Sequence, residues 1–93
     1  MDKLYVMLMN NKRKLNSEII KKHVEHLQLI DQSGNLYLCG PFSDYSGGIE
    51  VLVAGSFEEA TRIAESDPFI AEGYKTFELR TLEVANKDNN YLI

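Results

Sequence analysis

The order of apolar runs and helix signals predicts an α+β domain with the element order β-α-β-β-α-β. Three observations carry this expectation. A short unbroken apolar run, Leu4–Met9, precedes a longer stretch of helical period from Ser17 to Ile30. Two more strand-like runs, Leu36–Gly40 and Ile49–Ala54, follow with only a loop between them. A helix-start signal at Ser56–Glu59 then leads into a second helix, and a partly alternating segment, Tyr74–Val84, comes after it.

The run Leu4-Tyr5-Val6-Met7-Leu8-Met9 is too short for a helix and rich in strand formers, so it reads as a central strand covered on both faces. Residues 10–16 are mostly polar and form a loop, and Asn16 or Ser17 is placed to cap the helix that follows. In that helix Ile19, Ile20, Val24, Leu27 and Ile30 define one apolar arc at about 100° per residue. Gly34 suits its left-handed C-terminal cap. Leu36–Gly40 is the second strand, and Gly40-Pro41 ends or bends its pairing. Phe42–Gly48 is a Ser/Gly/Asp-rich loop, and Ile49–Ala54 is the third strand of a hairpin with a long connection.

Ser56-Phe57-Glu58-Glu59 forms a capping box in which Ser56 accepts from the backbone and Glu59 reaches back. Ser66-Asp67-Pro68 breaks the second helix and starts a new turn, with Asp67 as cap and Pro68 at the first helical position. Gly73 ends that turn. Phe77, Leu79 and Leu82 alternate with polar residues in the fourth strand. Residues 1–85 thus form one domain, and 86–93 a polar tail whose end, Tyr91-Leu92-Ile93, docks or frays. Two strand–helix–strand halves in series give the ferredoxin-like arrangement: a four-stranded antiparallel sheet with two helices on one face. The other face is bare and apolar, which calls for a second subunit.

Bulk properties narrow the function. Ninety-three residues make a single domain with a thin core. A net charge of -4 and a single basic cluster, Lys12-Arg13-Lys14, argue against a nucleic-acid partner. One cysteine, Cys39, allows no intrachain disulfide and fits a reducing cytoplasm. No signal peptide is expected from Met1-Asp2-Lys3 and the six residues after it, and no run is long enough to span a membrane.

His23 is the anomaly. It falls inside the apolar arc of the first helix, where an ionisable group costs free energy unless partnered. It is therefore either a packed, hydrogen-bonded core histidine or a functional group lining a cavity. A carboxylate that orients its ring would suit proton transfer, and Asp44, in the loop after the second strand, is the candidate. The alternative leaves His23 bonded to a backbone carbonyl and Asp44 as a turn residue. His26 lies three residues on, at the edge of the arc; it reads as a boundary histidine, and a metal site through His23 and His26 would need a third ligand such as Cys39 or Asp44. Cys39 reads as a small buried hydrophobe rather than a nucleophile. For Asp67 the local capping role suffices, and Asp67→Ala is then expected to cost about 1 kcal/mol.

Together these residues resemble the YciI-like (YCII-related) family. The matching stretches are His23-x-x-x-Leu27, Gly34-x-Leu36, Gly40-Pro41 with Asp44 downstream, Ser56-x-Glu58-Glu59-Ala60 and Asp67-Pro68-Phe69-x-x-x-Gly73. Their order, from about residue 4 to residue 84, is more specific than any one of them. The resemblance implies a ferredoxin-like subunit that dimerises sheet to sheet into an α+β barrel. It implies a cleft in which the family histidine and aspartate, here His23 and Asp44, form a catalytic pair. It gives Asp67-Pro68-Phe69 a structural or cleft-shaping role. The expected function is proton transfer on a small cyclic or aromatic substrate, an elimination or isomerisation with no cofactor and no metal. The alternative is a non-catalytic module of the same fold that binds a metabolite or a partner.

Overall fold

The computed structural model describes residues 3–92. Met1, Asp2 and Ile93, the outer ends of the predicted domain and tail, lie outside the described residues. The elements are β1 (Lys3–Asn11), α1 (Ser17–Gln32), β2 (Leu36–Pro41), β3 (Gly48–Ala54), α2 (Phe57–Ser66), α3 (Pro68–Ala71) and β4 (Lys75–Leu82), with a 3-10 turn at Lys87–Asn89. The strands pair antiparallel in the order β2-β3-β1-β4. This is the predicted ferredoxin-like α+β arrangement. Its two central strands, β1 and β3, belong to different halves of the chain.

Local chemistry explains the boundaries. Asn16 caps α1 by accepting from the Ile19 N–H at 2.9 Å. Gly34, at φ +79°, turns the chain out of that helix, and its N–H and that of Asn35 close on the Asp31 and Ile30 carbonyls. Ser56 Oγ accepts from the Glu59 N–H at 3.1 Å. The reciprocal bond differs from the predicted capping box: Glu59 Oε2 accepts from Gly55 N–H, one residue before the cap, at 3.3 Å. Asp67 ends α2 and caps α3, accepting from the Phe69 N–H at 2.9 Å, with Pro68 at the first position of α3.

Strand alternation sorts the two faces of the sheet. Tyr5, Met7 and Met9 of β1, Leu52 and Ala54 of β3 and Leu79 of β4 join Ile19, Ile30, Ala60, Ala64 and Phe69 in the core. Their neighbours in sequence point to the opposite face. Leu4, Val6, Leu8, Ile49 and Val53 are half-buried there, and Leu38 and Leu82 are exposed. The bare apolar face is thus present.

The burial of α1 departs from the predicted arc. Ile19 and Ile30 are buried and Leu27 half-buried, but Ile20 and Val24 are each 43% exposed. The stripe that meets the sheet runs Ile19, His23, Leu27, Ile30, at the i, i+4, i+8, i+11 spacing of one helix face. His23 is therefore nearer the centre of the buried stripe than Ile20 or Val24.

Candidate active site

α1 carries His23 over the sheet close to the junction of α2 and α3. There its Nδ1 lies 2.9 Å from Asp67 Oδ1. Asp67 is fully buried, and the His23 side chain keeps only 12% of its surface. An ionised carboxylate can only accept, so the proton of the neutral ring sits on Nδ1 and points at Asp67. That leaves Nε2 as a lone-pair acceptor with no hydrogen bond among the described residues. The ring is stacked on Phe69, centroids 3.8 Å apart and planes 13° from parallel. Asp67 and Phe69 thus fix the ring's direction and its plane, both from one Asp-Pro-Phe turn.

Asp67 does two jobs with one oxygen. Oδ1 accepts from the Phe69 N–H and from His23. Burial works against its charge, but the bonds from His23 and Phe69 help to outweigh it and hold the carboxyl below the usual aspartate range.

Glu50 is the unexpected member. It lies on β3 opposite Met7 of β1 and Cys39 of β2, with 1% of its surface exposed. Burial first, then the adjoining Asp67 carboxyl, whose negative charge disfavours a second one beside it, push its pKa up to about 9, against a partial offset from Lys75. Lys75, at the start of β4, is 8% exposed with its Nζ 4.6 Å from the Phe69 ring centroid. Burial lowers its pKa, and the charges of Asp67 and Glu50 oppose that shift.

A cavity of about 250 Å³ opens beside His23. Met9, Leu15, Ile20 and Phe69 are among its apolar walls, and His23, Cys39 and Lys75 bring its ionisable groups. It is smaller than the ~300–1,000 Å³ of drug-sized sites and suits a single substituted ring. The arrangement can take a proton at His23 Nε2 and hold a negative oxygen near Lys75.

The sequence-predicted residues separate here. His23 lines the cavity as expected of a functional histidine. Its carboxylate partner is Asp67, not the expected Asp44. Asp44 is exposed in the β2–β3 loop and makes no hydrogen bond to His23. The reason is topological: His23 packs toward α3, and the loop between Pro41 and Gly47 turns back on itself through a Phe42 N–H to Gly47 O bond. His26 is half-buried with Nε2 unpartnered, and burial lowers its pKa, with Asp67 opposing and His23 adding to the shift. Among the described residues the group of possible metal ligands that the fold assembles is His23, Glu50 and Asp67 rather than His23 and His26. Cys39, expected to be buried, is exposed because β2 is an edge strand; partial desolvation of its thiol, then the charges of Glu50, Asp31 and Asp67, raise its pKa. A raised thiol pKa disfavours the nucleophilic thiolate.

Two members were missed. The signal for Glu50 is a lone acid in the run Ile49–Ala54, where alternation puts it on the same face as Leu52 and Ala54. The signal for Lys75 is weaker, since a lysine at a strand start is ordinarily exposed.

The profile of the YCII-related domain matches residues 3–83. The chain belongs to the YCII-related family. Protein YjpA of Bacillus subtilis (strain 168), itself described as uncharacterized, is 41% identical over 69 residues, 74% of this chain and 81% of YjpA. Among solved structures, 5-chloro-2-hydroxyhydroquinone dehydrochlorinase (TftG) from Burkholderia phenoliruptrix AC1100, in complex with 2,5-dihydroxybenzoquinone, superposes with a TM-score of 0.66 at 17% identity. The match covers 92% of this chain and 98% of TftG. At that identity the likeness speaks for the fold.

Proposed function

We propose that this YCII-related domain is a small-molecule enzyme in which His23 Nε2 acts as general base and Asp67 as its orienting partner. The observation that carries the reading is the 2.9 Å His23–Asp67 bond beside an apolar cavity. The substrate class is a small ring bearing an acidic hydrogen and a leaving group. His23 takes the proton, the freed electron pair enters the ring system, and the leaving group departs with its bonding pair. Lys75 holds the negative charge that develops on a ring oxygen. An isomerisation uses the same first step, with His23 returning the proton to another atom. TftG, a dehydrochlorinase bound to a hydroxylated quinone, is one protein of this fold whose named chemistry has this form.

The same cavity serves the rival reading, a binding module, because one base, its orienting partner and one ammonium are a thin catalytic set. Incubation with 5-chloro-2-hydroxyhydroquinone and a panel of halogenated hydroquinones, read by halide release, separates the two. Turnover that falls at least about 100-fold in His23→Gln supports the base. Tight retention of ring compounds with no turnover supports the module. Full rate in a folded His23→Gln protein sinks the enzyme reading.

The functional unit is proposed to be a homodimer that buries the face bearing Val6, Leu8, Ile49 and Val51. Sedimentation at micromolar concentration is expected to give a dimer, and Val6→Lys a monomer. A parent monomer contradicts this. The cytoplasmic setting suggested by the lone cysteine belongs to the same proposal. Among the described residues no helix is long and apolar enough to cross a membrane.

A further inference from the structure

Three buried oxygens of the site have no hydrogen-bond donor among the described residues: both of Glu50 and Oδ2 of Asp67. Two carboxyl groups side by side out of water cannot both ionise without a large penalty, and each free oxygen would remain unsatisfied. One proton removes the like-charge penalty and pairs two of the three oxygens. Placed on Glu50, it turns one acceptor-only group into a donor aimed at Asp67. We infer that Glu50 is a positioning residue of this site: as a neutral carboxylic acid it donates a hydrogen bond to Asp67 Oδ2 and so fixes the carboxylate that orients His23.

The geometry supports each link. One ligating atom from each of His23, Glu50 and Asp67 lies within 4.8 Å of the other two. Asp67 Oδ1 is already shared by the Phe69 N–H and His23, so Oδ2 is the position left for Glu50. With all three donors in place the carboxylate has no freedom to rotate away from the imidazole. The ionisable groups facing Glu50 are His23 of α1, Cys39 of β2, Asp67 at the α2–α3 junction and Lys75 of β4. With Glu50 neutral, Asp67 and Lys75 form a balanced pair of charges. The high Glu50 pKa agrees with this state at neutral pH. A divalent cation is the competing way to satisfy the same oxygens. Lys75 opposes it, because the ammonium already supplies the positive charge.

The role in catalysis rests on the base reading of His23, but the hydrogen bond is readable without any substrate. Imidazole 15N spectra of the full chain give the tautomer and titration midpoint of His23. In the parent, Nδ1 is expected to carry the proton. Glu50→Gln keeps a donor for Oδ2 and removes no charge if Glu50 is neutral, so the midpoint should stay where it is. If Glu50 is ionised, the same variant deletes a negative charge and the midpoint falls, which overturns the inference. Glu50→Leu removes the donor, and the midpoint should rise because an Asp67 with one fewer donor is a stronger acceptor for His23. An unmoved midpoint in Glu50→Leu also overturns it. So does a stoichiometric divalent metal in protein purified without an affinity tag. With a substrate in hand, Glu50→Leu should lower kcat about tenfold with little change in KM, and Glu50→Gln should restore most of it. If the spectra behave as stated but His23→Gln retains full rate, the base reading fails and the Glu50–Asp67 bond stands.

Discussion

Asp67 separates a local role from a site role, and two substitutions tell them apart. If Asp67 were only the cap of α3, removing its side chain would cost about 1 kcal/mol. The structure asks for more. Asp67→Ala deletes the acceptor of a buried bond from His23 and the partner of a buried Glu50. Removing one member of a buried charged group of this kind costs about 3–5 kcal/mol, and the cap does not add separately because Oδ1 serves both bonds. Asp67→Asn keeps a carbonyl oxygen for the Phe69 and His23 N–H groups and loses only the charge. Charge-assisted bonds exceed neutral ones by about 1 kcal/mol, so Asn should cost about 1–2 kcal/mol. The difference between the variants is therefore about 1–4 kcal/mol, with about 2–3 at the centre. Urea unfolding at pH 7 and a single protein concentration measures it. With m near 1–2 kcal/mol/M, the Ala midpoint should lie roughly 1 M or more below the Asn midpoint. Two variants that both lose about 1 kcal/mol would reduce Asp67 to a cap and remove the basis for its pairing with His23.

Three further outcomes are expected. The raised Glu50 pKa means that the folded state holds a proton the unfolded chain releases, so this contribution to stability is full below the ordinary glutamate pKa and is lost as pH rises toward about 9. Between pH 7 and 8.5 the parent should lose up to about 1.4 kcal/mol per pH unit from this group, and Glu50→Gln should flatten the slope; equal slopes in parent and variant reject the assignment. Asp44→Ala should leave halide release within about twofold of the parent, since the side chain is exposed and unbonded to His23, whereas a loss like that of His23→Gln would return Asp44 to the site. Gly47→Ala should destabilise by at least about 1 kcal/mol, because φ is +87° and a Cβ would sit 2.2 Å from the Met9 carbonyl oxygen; an unchanged thermal midpoint would contradict the β1–β3 register.

The fold was legible because its signals are local. The short apolar run of β1, the period of α1 and the cap residues Asn16, Ser56 and Asp67 each act within a few positions, and their order leaves few topologies. The site was legible only in its first member. His23 stood out because helical period alone marks a polar residue on a buried stripe. Its partner did not, because nothing in sequence spacing measures the distance from residue 23 to residue 67. The resemblance supplied an aspartate, and the packing of α1 against α3 supplied a different one. Asp67 was hidden by a sufficient local explanation: a residue that caps a helix so well raises no further question. Glu50 drew no notice for the opposite reason: a lone acid among the five apolar residues of a strand carries no local motif, and only alternation ties it to the face of Leu52 and Ala54. The register of β3 against β1, which sets Glu50 opposite Met7, turns it inward. Inward-facing, it needs a proton or a cation, and the nearest acceptor is the carboxylate that already holds His23. The polar residues that break the hydrophobic pattern of α1 and β3 are thus parts of one network joined through a helix cap, and that network is where the chemistry proposed for this chain resides.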